Sequence, residues 1–86
     1  MSEEKQKKFV LKGNWILKKS GLDNVHQITL RARISAQTGY KYIQTPEKVK
    51  AFDMKVLATL LIDGAGLTPK EVLEMKIGDL FDLVDA

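Results

Sequence analysis

Eighty-six residues with a formal net charge of +3 suffice for one small domain, and a chain of this size buries only about 60–65% of its unfolded surface. With no cysteine and one histidine, neither a disulfide framework nor a zinc site can supplement the core, no cofactor is implied, and a reducing, cytoplasmic setting is the simplest expectation. Apolar runs reach four or five residues, against the roughly 20 that cross a bilayer, and MSEEKQKK lacks the apolar stretch of a signal peptide, so no membrane role is expected.

Residues 1–8 hold almost nothing apolar and read as a disordered basic lead-in. A short extended piece over 8–12 precedes Gly13, a poor helix residue, so Asn14 is the expected cap of a first helix over 14–20, stopped by Gly21. Asp23 and Asn24 offer cap oxygens for a second helix over 25–32, whose Val25, Ile28 and Ala32 share the inward face while His26, Gln27, Leu30 and Arg31 point away. After a turn at 33–35, Ser35 caps a third helix over 36–44, and Pro46 ends it because a residue before proline is driven out of the α region. Tyr42 and Ile43 are assigned to the core.

A connector over 45–52 is anchored by Val49, Ala51 and Phe52, with Glu47, Lys48 and Lys50 facing water. Asp53 caps a helix over 54–63 bearing the stripe Val56, Leu57, Leu60 and Leu61, and Gly64 and Gly66 stop it. Thr68-Pro69-Lys70-Glu71 combines an N-cap threonine, proline at the first helical position and glutamate at the third, the signature of a capping box opening a helix over 69–76. The closing LFDLV alternates as a strand and can pair with the run near Phe9.

Two short helices joined by a tight turn, the second with a polar and basic outer face, form the layout of a DNA-reading helix-turn-helix. The charge distribution points the same way. Residues 1–50 carry eleven Lys and Arg against four Asp and Glu, and residues 51–86 carry three against seven, so one half suits a polyanion.

Ser20-Gly21-Leu22 at the end of the first helix, Ile28 to Ala32 in the second, Ile34-Ser35 at the turn and Thr38 with Tyr40-Lys41-Tyr42 in the third resemble the Cro/CI-type, or XRE, helix-turn-helix family of phage and bacterial regulators. Lys50 to Leu57 and Gly78-Asp79-Leu80-Phe81 extend the resemblance to about residues 9–84. It implies a mainly α, five-helix, lambda-repressor-like domain and a small transcriptional regulator, a repressor rather than an activator. Two positions depart from the family. Arg33 stands where glycine usually supplies a positive φ, and Gly39 stands where an apolar residue usually packs on the second helix, so either the two helices approach closely or the third is partly ordered by DNA.

On the third helix Ala36, Gln37, Tyr40, Lys41 and Gln44 share one face. Gln37 can pair bidentately with adenine, Lys41 can donate to guanine O6 and N7, and Ala36 fits against a thymine methyl. The resemblance implies base contact at the same three residues. Ser35, Thr38, Tyr40 and Gln44 suit phosphate or sugar. Asn24, His26, Gln27, Arg31, Lys48 and Lys50 are placed to reach the DNA backbone on either side, with Lys5, Lys7 and Lys8 following as a loose arm. A domain reading about four or five base pairs binds weakly alone, so a homodimer on half-sites about 34 Å apart is expected, associating through the acidic half. No nucleophile and base pair, GxSxG motif or phosphate loop suggests an enzyme. The competing reading is an antitoxin-like or adaptor module that uses the same fold and face to bind a protein.

Overall fold

The computed structural model describes residues 6–86, so the expected lead-in, Lys5 included, lies outside the described residues up to position 5. The order is β1 (Lys7–Leu11), α1 (Gly13–Ser20), α2 (Val25–Ala32), α3 (Ala36–Ile43), a 3-10 turn at Pro46–Lys48, α4 (Met54–Thr59), a π turn at Leu60–Gly64, α5 (Pro69–Glu74), α6 (Ile77–Leu80) and β2 (Phe81–Asp85). The protein is mostly helical with one two-stranded sheet. Among the described residues no helix is long and apolar enough to cross a membrane.

The chain ends pair as the alternation suggested. β1 and β2 run antiparallel with Phe9 opposite Leu83 and Leu11 opposite Phe81, and Leu11 is buried beneath them. The strand begins at Lys7, so Lys7 and Lys8 belong to the sheet rather than to a loose arm. Lys7 forms an ion pair with Asp85, Lys12 lies 3.8 Å from Asp82, and the Lys8 amine donates to the Glu47 carbonyl at 2.9 Å. The acidic tail thus folds back on the basic strand and cancels part of its charge.

Helix ends follow local chemistry where side chains cap them. The Asn24 Oδ1 accepts from the Gln27 N–H at 3.0 Å, the Ser35 Oγ from Thr38 at 3.1 Å, and the Asp53 carboxylate from Lys55 and Val56 at 2.8 and 3.2 Å. The Thr68 N–H donates to the Glu71 carboxylate at 3.0 Å and the Glu71 N–H to the Thr68 hydroxyl oxygen at 3.1 Å, completing the capping box, and hydrogen bonding from the Thr68 backbone, then from its side chain, holds the Glu71 carboxyl below its ordinary pKa. Gly21 closes α1 at φ 73°.

Tertiary contact overrides local preference elsewhere. α1 starts at Gly13, one residue before the expected Asn14 cap, with Lys12 preceding it and no side-chain cap. Gly13 is buried against the Ile43 backbone, so closely that a Cβ there would meet the Ile43 carbonyl oxygen at 2.1 Å. The expected helix over 54–63 is α-helical only to Thr59 and then widens into the π turn, where the Ala65 N–H reaches the Leu60 carbonyl at 2.8 Å. That turn sets Gly64 against Ile28, to which a Cβ would come within 3.0 Å. α5 stops at Glu74 rather than 76 because Met75 turns extended, and the unanticipated α6 starts with the Asp79 carboxylate accepting from the Lys76 N–H at 2.9 Å. In the connector Val49 is buried as expected, whereas Ala51 is exposed and Pro46 is the further anchor.

The core gathers Ile16, Val25, Ile28, Tyr42, Ile43, Leu57, Leu60 and Leu61, with Phe52 and Phe81 packed beside it. Its centre lies where α2 crosses α3 and the π turn.

Candidate nucleic-acid interface

Two backbone features fix α3 against α2. Arg33 adopts φ 58° and ψ 43°, the left-handed conformation in which its N–H bonds back to Thr29 and closes α2. Among the described residues no other non-glycine has positive φ. The second feature is Gly39, which is buried on Thr29: a Cβ would lie 2.1 Å from the Thr29 Cγ2. Of the two explanations for Gly39, close helix approach is the observed one. Thr29 itself, 2% exposed, satisfies its hydroxyl by donating to the His26 carbonyl at 2.6 Å.

With α3 held by Gly39, Tyr42 and Ile43, its opposite side is exposed and carries Ala36, Gln37, Tyr40 and Lys41, with Gln44 as C-cap at the end of the helix. Tyr42 also positions the connector, because its hydroxyl oxygen accepts from the Asp53 N–H at 2.8 Å. Lys48 and Lys50 are thereby placed beside α3. Gln37, Thr38, Lys41, Lys48 and Lys50 line one cavity of about 650 Å³, together with Asp53. The Asp53 carboxylate is occupied in capping α4, and among the described residues neither Lys41, Lys48 nor Lys50 forms a salt bridge. The groove between α3 and the connector is therefore cationic, and it carries an amide and a hydroxyl for hydrogen bonding.

The remaining expected contacts divide. Ser35 and Thr38 bond to each other at 2.8 Å, which orders the first turn of α3 and leaves the Thr38 hydroxyl proton available to a ligand. At the start of α2, Asn24 and the exposed His26 sit together; the Gln27 Oε1 accepts from the Asp23 N–H at 3.0 Å, so its NH2 remains the outward donor. Arg31 is engaged within the protein. Its guanidinium donates to the carbonyls of Ser20 and Gly64 at 3.4 and 3.2 Å, tying the end of α1 to the π turn. Those carbonyls are orphan acceptors at helix ends, and an arginine within reach satisfies two at once.

Thr29 is the residue that the sequence pattern missed. Between Ile28 and Leu30 it reads as a neutral helix position, and only the glycine ten residues later hints that a threonine methyl occupies that space.

No protein family, characterised protein or solved structure matches the chain.

Proposed function

We propose that the chain is a sequence-reading, double-stranded DNA-binding domain of Cro/CI type, a small transcriptional regulator and a repressor rather than an activator, with α3 entering the major groove. The observation that carries this reading is the exposed face of α3, on which Gln37 and Lys41 stand beside the two connector lysines in one cationic groove. Gln37 is assigned to adenine, Lys41 to guanine and Ala36 to a thymine methyl. Thr38, Tyr40 and Gln44 contact phosphate or sugar, with Ser35 ordering them. Lys48 and Lys50 hold the DNA backbone on one side, and Asn24, His26 and Gln27 hold it on the other.

Arg33 and Gly39, the two departures from the family pattern, are both accommodated within a closely packed helix pair, which supports the DNA reading over the protein-binding one. A homodimer would supply the affinity that one short reading helix lacks. The exposed Leu73, Leu83 and Val84 are its candidate contacts, and the outer edge of β2 is open to pairing across a two-fold axis.

Enrichment of bound sites from a random duplex library tests the proposal. A recurring site is expected, and a palindrome would report the dimer. Gln37→Ala with Lys41→Ala should abolish the preference while non-specific affinity persists. No change in either would sink the base-reading roles.

A further inference from the structure

A second groove lies on the other side of the connector. It encloses about 960 Å³ between β1, the connector, the start of α4 and α6, a volume that takes several side chains. Its floor is apolar: Phe9, Phe52, Phe81, Met54 and Ile77 line it. Phe9, Met54 and Ile77 are 45%, 76% and 62% exposed, so large apolar side chains here stand open to a partner. The floor is braced. Phe9 packs edge to face on Phe81 at 5.6 Å, Phe81 on Phe52 at 5.4 Å, and Phe52 on the buried Tyr42 at 5.2 Å.

The rim is charged and predominantly basic. Lys7, Lys8, Lys48, Lys50 and Lys76 line the groove against a single acid, Glu47. Lys7 is neutralised by Asp85, and the other four lysines form no salt bridge among the described residues. Nucleic acid does not suit an apolar floor. A second copy docked by two-fold symmetry would oppose these lysines to their own images, and like charges so placed repel.

We propose that this groove is the docking site for an acidic amphipathic segment of a partner protein, one whose large apolar side chains enter the recess while flanking carboxylates meet the lysine rim. Lys48 and Lys50 line both grooves. Resting on the DNA-binding reading above, the same partner is a DNA competitor: its carboxylates take the two lysines that would hold phosphate, and bound segment and bound duplex exclude each other.

Fluorescence anisotropy tests this with a short labelled peptide carrying Leu and Phe at i, i+3, i+4 and i+7 and Asp or Glu between them; a scrambled peptide of the same composition is the control. Saturable binding of the patterned peptide alone is expected. Ile77→Ser and, separately, Lys76→Glu should each weaken it by roughly tenfold, the ordinary effect of losing an interface anchor. Both side chains are exposed, so each variant should fold, which circular dichroism checks, and Ile77 is uncharged and lies off the α3 face, so Ile77→Ser should leave duplex affinity unchanged. Absence of saturable binding, or binding that ignores both substitutions, overturns the proposal. So does concentration-dependent self-association abolished by Ile77→Ser, which makes the occupant a second copy, or Ile77-dependent binding to anionic phosphatidylglycerol vesicles in place of the peptide. Peptide that binds as expected yet fails to displace duplex DNA would refute the competition and leave the docking site standing; absence of duplex binding altogether would refute the DNA reading alone.

Discussion

Replacing Gly39 with alanine tests the packing that aims α3. Inside a helix, alanine is worth about 0.8–1 kcal/mol over glycine, so on propensity alone the substitution stabilises. The new Cβ, however, would fall 2.1 Å from the Thr29 Cγ2, with Ile34 behind it at 3.7 Å, and overfilling a packed site costs about 1–3 kcal/mol. Thr29 cannot escape freely. Rotation about χ1 would take its hydroxyl from the His26 carbonyl and leave a buried donor unsatisfied, a loss of about 1–3 kcal/mol. Gly39→Ala is therefore expected to destabilise by about 1–2 kcal/mol, lowering Tm by roughly 4–16 °C in a domain of this size.

The decisive comparison is a double-mutant cycle with Thr29→Ser, which keeps the hydroxyl and removes the methyl. Alone, Thr29→Ser should cost about 1 kcal/mol for the buried methyl. Together, the alanine methyl fills the space that the threonine methyl vacates. The pair should fall within about 0.5 kcal/mol of wild type, a coupling of roughly 2 kcal/mol. Urea unfolding followed by circular dichroism and by Trp15 fluorescence reads all four proteins. A stabilised Gly39→Ala, or additive effects in the cycle, would refute the close approach of α2 and α3.

Gly13→Ala should be costlier than Gly39→Ala, at about 2–4 kcal/mol, because the Cβ meets the Ile43 backbone rather than a side chain; urea midpoints compare the two directly. Arg33→Gly should stabilise by about 0.5–1 kcal/mol, since φ 58° strains an L-residue and suits glycine; a destabilised variant would mean that the turn has another shape. Arg31→Ala should lower stability by about 1–2 kcal/mol through the loss of both carbonyl contacts while duplex affinity changes little beyond one unit of charge; a collapse in affinity at unchanged stability would return Arg31 to the DNA face.

Local chemistry was legible wherever a side chain caps its own helix. Asn24, Ser35, Asp53 and the Thr68–Glu71 box each satisfy neighbouring N–H groups, so their letters alone set the boundaries. The pairing of the terminal segments was readable from alternation. Decisions made by distant contacts were not. Gly13 looks like a helix breaker and serves as a place of close approach, the π turn sets Gly64 against Ile28 from the distant α2, and α5 ends early without any glycine or proline to announce it. On the candidate site, the exposed letters of α3 were readable from helical spacing. The loss of Arg31 to two carbonyls and the tethering of Lys7 and Lys8 were not, because a long cationic side chain gives no sequence sign of which acceptor it will reach.

Binding of duplex DNA by the α3 and connector face is read from the salt dependence of affinity for a random duplex. Neutralised phosphates release counterions, so the logarithm of the binding constant should fall linearly with the logarithm of salt, by about 0.9 per phosphate contact. Lys48→Ala and Lys50→Ala should each flatten the slope by about 1. A wild-type affinity that does not change between low and moderate salt, or a slope indifferent to both lysines, would contradict the account.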